Sequence, residues 1–417
     1  MPLSTHAATL LQTFRIAFRN IFRNKVRTTI TLAAIAFGGI SLILTGGFIR
    51  DIFEQLREAT IHSQLGHLQV YREGFYEKGT AQPFQYMIPE PEKVRETIVA
   101  TPSVSFVTPR LEFSGLLSSG ETTTSFLAQG VDPAMEKRLG TFVLMGEGDY
   151  LSAGDRYGAI LGRGLAASIN VKVGDTVTLL TNTRAGSINA IQVKVRGIFY
   201  TFYKEYDDRA LKIPLETAQE LLQHDGIQSL VVVLKRTDDT EAVRKKLAAS
   251  FAETRQPIEI KSWTELAEFY QKVVDLYSRQ FTVIKVIITI VVILSIGNTM
   301  SMSIYERTGE IGTVMAIGSR RRSVLQMFLL EGLVLGILGG LAGLFLGILL
   351  AQIISFIGIP MPPAPGSTVP YTARIQVYPG ILGFALGLSI VTSIISSIYP
   401  SLKASRLEIV DALRHNV

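Results

Sequence analysis

The side chains able to do chemistry in this 417-residue chain are few, and they form no catalytic pattern. Cysteine is absent, which removes thiolate nucleophiles, disulfides and Cys-based metal sites together. Of five histidines, His62 and His67 lie five apart with no cysteine beside them, a spacing that suits a core or a surface better than a metal. HExxH, GxSxG and GxxxxGK followed by Ser or Thr are all missing, so zinc-protease, serine-hydrolase and P-loop nucleotide chemistry have no sequence basis. The one dense constellation is ERTGEIGTVMAIGSRRR at 306–322. On a helix, Glu306, Arg307 and Glu310 share a polar face, and Ile311, Val314, Met315 and Ile317 form an apolar one. Gly318 stands where such a helix would end, and Arg320, Arg321 and Arg322 would meet its C-terminal dipole and lipid headgroups. These residues perform no reaction. They offer an apolar side on which another protein, or a lipid surface, can dock.

The elements around that segment are hydrophobic and long. Uncharged runs occupy 28–49, 286–304, about 332–359 and about 377–400. Each can cross a bilayer, since about 20 helical residues span ~30 Å. The first run is too long for the apolar part of a cleaved leader and reads as a retained anchor. Net charge is +6, but the basic residues hug the runs: Arg15, Arg19, Arg23, Lys25 and Arg27 precede the first, Arg320–Arg322 precede the third, and Lys403, Arg406 and Arg414 follow the last. Nucleic-acid binding is a poor reading of such charge. The positive-inside bias instead puts both termini and the 305–323 loop on the cytoplasmic side, and the large 51–279 stretch outside.

The chain therefore reads as an α-helical membrane protein with four transmembrane helices and a large extracytoplasmic mixed α/β (α+β) domain inserted between helices 1 and 2. The expected order is a surface-lying amphipathic helix (1–27, with Phe14, Phe18, Ile21 and Phe22 on one face), helix 1 and stalk (28–60), the outer domain (61–260, its middle lobe about 115–225), stalk and helix 2 (261–304), the coupling loop (305–323), helix 3 (324–359), an outer loop (360–376), helix 4 (377–400) and a tail (401–417). In the domain, 67–71, 103–109, 175–181, 191–199 and 229–235 read as strands, and 89–100, 214–223 and 239–253 as helices. Ile49, Ile52, Phe53 and Leu56, and on the return Trp263, Leu266, Tyr270, Val273, Tyr277 and Phe281, carry helical seams outward as a stalk. Helix 3 bears Gly332, Gly336 and Gly340 on one ridge and Gly339, Gly343 and Gly347 on another, and helix 4 adds Gly383 and Gly387. Small residues every four positions suit close helix packing rather than a pore. Glu331, near the inner end of helix 3, calls for snorkelling or a basic partner.

With those motifs in view the chain resembles the FtsX/MacB/lipoprotein-release (LolC/LolE-like) superfamily of ABC transporter permeases, the type VII mechanotransmission class. The N-terminal RxxxRNxxRNKxRT pattern, 306–332, 399–414, and the core-domain-like stretches 159–179 and 213–222 carry the likeness. Gly309 departs from it, since relatives usually carry a charge there. The resemblance implies a bacterial inner-membrane, multi-pass protein with both termini cytoplasmic and its large domain periplasmic. It also implies a dimer with a second copy or a paralogue, and no cofactor or catalytic site of its own. ATP and Mg would be held by a separate ABC ATPase docking on the 305–323 region through Glu306, Arg307, Glu310, Ile311, Met315, Ile317, Gly318 and Arg320. LGHLQVY at 65–71 is similar to lipoprotein-release permeases, which implies extraction of lipidated proteins. Tripartite MacB-like efflux of peptides, drugs or other amphiphiles through a periplasmic adaptor is the alternative, and an FtsX-like regulator of a wall hydrolase a third.

Overall fold

The structure, a computed structural model, describes residues 19–20, 23–79, 81–362 and 369–408. Most of the surface helix expected over 1–27 therefore falls outside the described residues, as do the tail beyond 408 and residues 363–368 of the outer loop. Contacts divide the chain into two compact units: 1–53, 274–360 and 372–417 form one, and 54–273 with 361–371 the other.

Helix α1 (Lys25–Thr60) continues as a wider turn over Ile61–Leu65. There follow β1 (Leu68–Arg72), α2 (Pro91–Val99), β2 (Val104–Ser118), β3 (Thr123–Val131), α3 (Pro133–Leu139), β4 (Leu144–Gly148), β5 (Gly158–Gly162), α4 (Arg163–Ser168), β6 (Thr176–Asn182) and β7 (Ile188–Tyr200). Next come α5 (Lys204–Asp207), β8 (Ala210–Pro214), α6 (Leu215–Leu222), β9 (Ser229–Leu234), α7 (Thr240–Glu253), β10 (Ile258–Ser262) and α8 (Trp263–Leu266). The chain ends in α9 (Glu268–Glu306), α10 (Thr308–Ala316), α11 (Arg321–Ile357) and α12 (Pro379–Ser405). Helices α1, α9, α11 and α12 are each long and apolar enough to cross a membrane.

In the strand-bearing unit, ten strands form one continuous sheet, and β2 joins its two parts. The first half of β2 completes the antiparallel part β10–β1–β9–β2. Val94 and Ile98 of α2, and Val243, Leu247 and Phe251 of α7, pack against this part's apolar residues. The second half of β2 enters a ring: β2 pairs β3, β3 pairs β8, β8 pairs β5, β5 pairs β7, β7 pairs β6, and β6 returns to β2. A closed ring has no free edge to aggregate, and its interior holds its own core, including Leu117, Phe126, Leu161, Leu179, Val195 and Leu211, all essentially inaccessible. Each such side chain contributes about 1.5–3 kcal/mol by leaving water. Gly115 is required at the closure, since a Cβ there would collide with the Leu180 carbonyl. Because β2 serves both cores, no chain position separates them. Asp132 starts α3 by accepting hydrogen bonds from Ala134 N (2.9 Å) and Met135 N (3.1 Å), with Pro133 behind it.

The helical unit is built on small residues. Gly332, Gly336 and Gly340 of α11 face Ser397, Ser393 and Ser389 of α12, and a Cβ at Gly336 would lie 2.8 Å from that of Ser393. Two of the α12 hydroxyls fold back on their own helix, Ser389 to the Ala385 carbonyl (2.9 Å) and Ser397 to that of Ser393 (2.7 Å), which keeps the ridge thin, while the buried Ser393 hydroxyl has no hydrogen-bond partner among the described residues. The other glycine ridge meets α1: Gly339 lies on Ile35, Gly343 on Ala36 and Gly39, Gly347 on Ile43 and Ile40. Gly383 and Gly387 differ, because a Cβ at either would meet nothing within 4 Å. The packing role expected of them has no partner in this chain among the described residues.

Candidate functional site

The 306–322 constellation sits at the end of the helical unit where α9, α10 and α11 meet. Helix α9 stops at Glu306. Arg307 (φ −107°, ψ 13°) turns the chain, Thr308 Oγ1 donates to the Ile304 carbonyl (3.1 Å), and α10 begins. Gly318, at φ 105°, closes it, with Gly318 N donating to Met315 O (3.0 Å) and Ser319 N to Val314 O (3.2 Å). Only glycine takes that φ without strain.

The polar face is not left open. Arg27 donates to both carboxylate oxygens of Glu306, one bond measuring 2.9 Å. Arg23 Nη1 lies 2.6 Å from Glu310 Oε1. Arg307 Nη1 donates to Glu331 Oε1 (2.9 Å), its guanidinium lies 5.5 Å over the Phe328 ring, and Asn20 Nδ2 reaches the same Glu331 oxygen (2.9 Å). Glu331, 3% exposed, thus has the basic partner its position demands. The Arg23 hydrogen bond, with Arg307 adding to it, holds the Glu310 carboxyl below the usual carboxylate range. The apolar face also divides. Ile311 and Met315 are buried with Ile304, Val324 and Phe328, whereas Val314 and Ile317, the latter 82% exposed, face outward just before the exposed Arg320–Arg322. Of the eight residues expected to meet an ATPase, then, Glu306, Arg307 and Glu310 are tied within the chain and Ile311 and Met315 lie inside. Ile317, Gly318 and Arg320 remain at the surface.

Two family models match in succession: the MacB-like periplasmic core domain over residues 28–250 and the FtsX-like permease C-terminal domain over 282–409. The chain belongs to the FtsX/MacB superfamily of ABC transporter permeases. Among relatives, the lipoprotein-releasing system transmembrane protein LolC of Neisseria meningitidis is 24% identical over 97% of this chain and 98% of its own length. An uncharacterized ABC transporter permease of Methanocaldococcus jannaschii is 27% identical over 64% of this chain, which spans 65% of that relative. The crystal structure of the periplasmic region of MacB from Actinobacillus actinomycetemcomitans matches 51% of the chain and 94% of its own, at 16% identity and TM-score 0.36.

The permease's strand-bearing unit holds a buried ionic cluster that the sequence reading missed. Glu136 of α3 accepts from Arg110 of β2 (2.9 Å) and Lys212 of β8 (2.5 Å), and Arg110 also donates to the Gln64 carbonyl in the turn that ends α1. Burial alone would raise the Glu136 carboxyl, but the two cations outweigh it and hold it at about 2. His62 and His67 are edge-to-face at 5.5 Å. His67 is buried, which pulls its imidazole down to about 4, and its Nδ1 accepts from Leu234 N (3.2 Å). Among the described residues no group of acidic and imidazole side chains could hold a metal.

Proposed function

We propose that this permease is the transmembrane subunit through which a separate ABC ATPase does mechanical work outside the inner membrane, and that the work is the release of lipidated proteins from that membrane. The observation that carries the docking half is the outward apolar pair Val314 and Ile317, followed in the chain by the exposed Arg320–Arg322, on a helix whose other side is locked to the bundle. A helix so anchored transmits force, since pushing on it pushes α9 and α11. Coupling requires only that the two nucleotide states of the ATPase hold this patch in different geometries. The basic flanks favour cytoplasmic placement of α10 and both termini and periplasmic placement of the 54–273 unit.

The lipoprotein half rests on the end-to-end match to LolC. The MacB-like core-domain match favours a second reading, export of an amphiphile through a periplasmic adaptor. Helix α9 keeps most of its apolar surface exposed, including Val283, Val286, Ile290 and Leu294, a face suited to a second copy or paralogue. The test is affinity purification from native membranes with identification of everything bound. Lipoprotein release requires acylated protein on the complex that leaves when ATP is added. A copurifying adaptor without acylated cargo favours the second reading. Ile317→Asp should cut ATPase capture at least tenfold while the chain stays folded; unchanged capture would remove α10 as the docking element.

A further inference from the structure

The strand-bearing unit contains a half-open cleft of about 500 Å³ that neither docking nor force transmission uses. Phe75 and Phe84 line it from the segment after β1, and Phe113 of β2 and Leu127 of β3 line it from the barrel. Among the described residues its walls include a single charged side chain, Glu112. Glu112 and Gln129 are cross-strand partners in the β2–β3 register. Gln129 Nε2 donates to Glu112 Oε1 (2.9 Å) while Tyr206 Oη donates to Gln129 Oε1 (3.1 Å), so a buried amide fixes the carboxylate and faces it into the space. No ion pair to Glu112 exists among the described residues. We infer that this cleft binds a small organic cation, an ammonium group at Glu112 carrying an apolar body against Phe75, Phe84 and Phe113.

Size and chemistry agree. A cleft of several hundred Å³ with apolar walls and one or two oriented polar groups is the usual form of a small-molecule site. A carboxylate beside aromatic rings favours ammonium over neutral or anionic groups by charge and by the ring quadrupole. Glu112 also stands two residues along β2 from Arg110, and it offsets the surplus positive charge of the buried Arg110–Glu136–Lys212 cluster. That structural role does not discriminate between ligands, and the experiment exploits the difference.

The full chain in lipid nanodiscs is titrated calorimetrically with three probes sharing one apolar body, 2-(1-naphthyl)ethylamine, 2-(1-naphthyl)ethanol and 1-naphthylacetate, with empty nanodiscs subtracted. The amine should bind at least tenfold tighter than the other two. Glu112→Gln should abolish that preference, and Leu127→Trp, placed on a half-exposed wall residue, should block all three. Equal binding of amine and alcohol, binding of no probe, or an amine preference that survives Glu112→Gln in a chain with unchanged melting would each overturn the site. These outcomes are independent of lipoprotein cargo and of ATPase docking.

Discussion

At the scale of single residues, this chain places its strongest ionic interactions where water is absent. Arg110, Glu136 and Lys212 are almost fully buried, so removing one partner strands the others in a low dielectric. Glu136→Gln should therefore cost about 3–5 kcal/mol. Trp263, the chain's single tryptophan, is buried in the same unit and reports that unit's unfolding by fluorescence. The pH dependence has a defined sign. Glu136 titrates at about 2 when folded against an ordinary 4.5, so its contribution is complete above about pH 5 and is lost as pH falls toward 2. The wild-type melting temperature should drop across that window more steeply than that of Glu136→Gln. The Arg23–Glu310 and Arg27–Glu306 pairs behave differently, because their carboxylates are exposed and water screens such pairs, so neither adds much to stability. Reversing Glu306 and Glu310 alone should loosen Arg23 and the first turn of α1 from α10 and the end of α9 and weaken ATPase capture without lowering the melting temperature. Reversing Arg23 and Arg27 as well should restore capture. Failure of that rescue would mean the two carboxylates touch the ATPase directly.

At the scale of elements, the glycine ridges make opposite predictions for residues of the same type. A Cβ at Gly343 would stand 2.9 Å from the Ala36 carbonyl oxygen, so Gly343→Leu must pry α11 from α1, at about 1–3 kcal/mol or more. Gly387→Leu meets nothing and should leave monomer stability in detergent unchanged. Comparing their heat-induced loss of the folded peak in size exclusion tests this. The ridges themselves were legible, because four-residue spacing puts Gly332, Gly336 and Gly340 on one side whatever the tertiary structure. Which helix each ridge meets was not. The matching i, i+4 series Ser389, Ser393, Ser397 and Ser401 was present in the sequence and would have pointed to α12. Strands with strong alternation or runs of Val, as in β7 and β9, were legible. Short β5 and β8 were not, because both of their faces are covered, which erases the two-residue period, and they carry no run of β-branched residues like that of β9. The coupling face was half legible. Periodicity identifies two sides of α10, but pairing of Glu306 with Arg27, 279 positions away, depends on how α1 and α9 pack and leaves no local trace.

At the scale of the whole chain, the feature that matters is continuity. Helix α1 runs unbroken from Lys25 to Thr60, its first part in the helical unit and its last residues in the strand-bearing one. Its terminal turn supplies the Gln64 carbonyl that Arg110 grips, so the helix ends on the buried ionic cluster rather than in a loop. The return path is interrupted, since Ala267 (φ −90°, ψ 64°) separates α8 from α9. An uninterrupted helix resists bending because each turn's hydrogen bonds must open together, whereas a single non-helical residue is a hinge. If ATP-driven movement of α10 reaches the strand-bearing unit as force, α1, whose terminal turn ends on that unit's ionic cluster, is the element suited to carry it. Three glycines inserted between Phe53 and Glu54 should then leave ATPase capture and ATP hydrolysis intact, because the docking surface and the α11 contacts lie entirely within the helical unit. The same insertion should abolish ATP-dependent cargo release. Loss of both activities would indicate that the strand-bearing unit feeds back on the ATPase. Retention of both would mean that force travels through α9 despite the non-helical residue that precedes it, and the stiff-strut account of α1 would have to be abandoned.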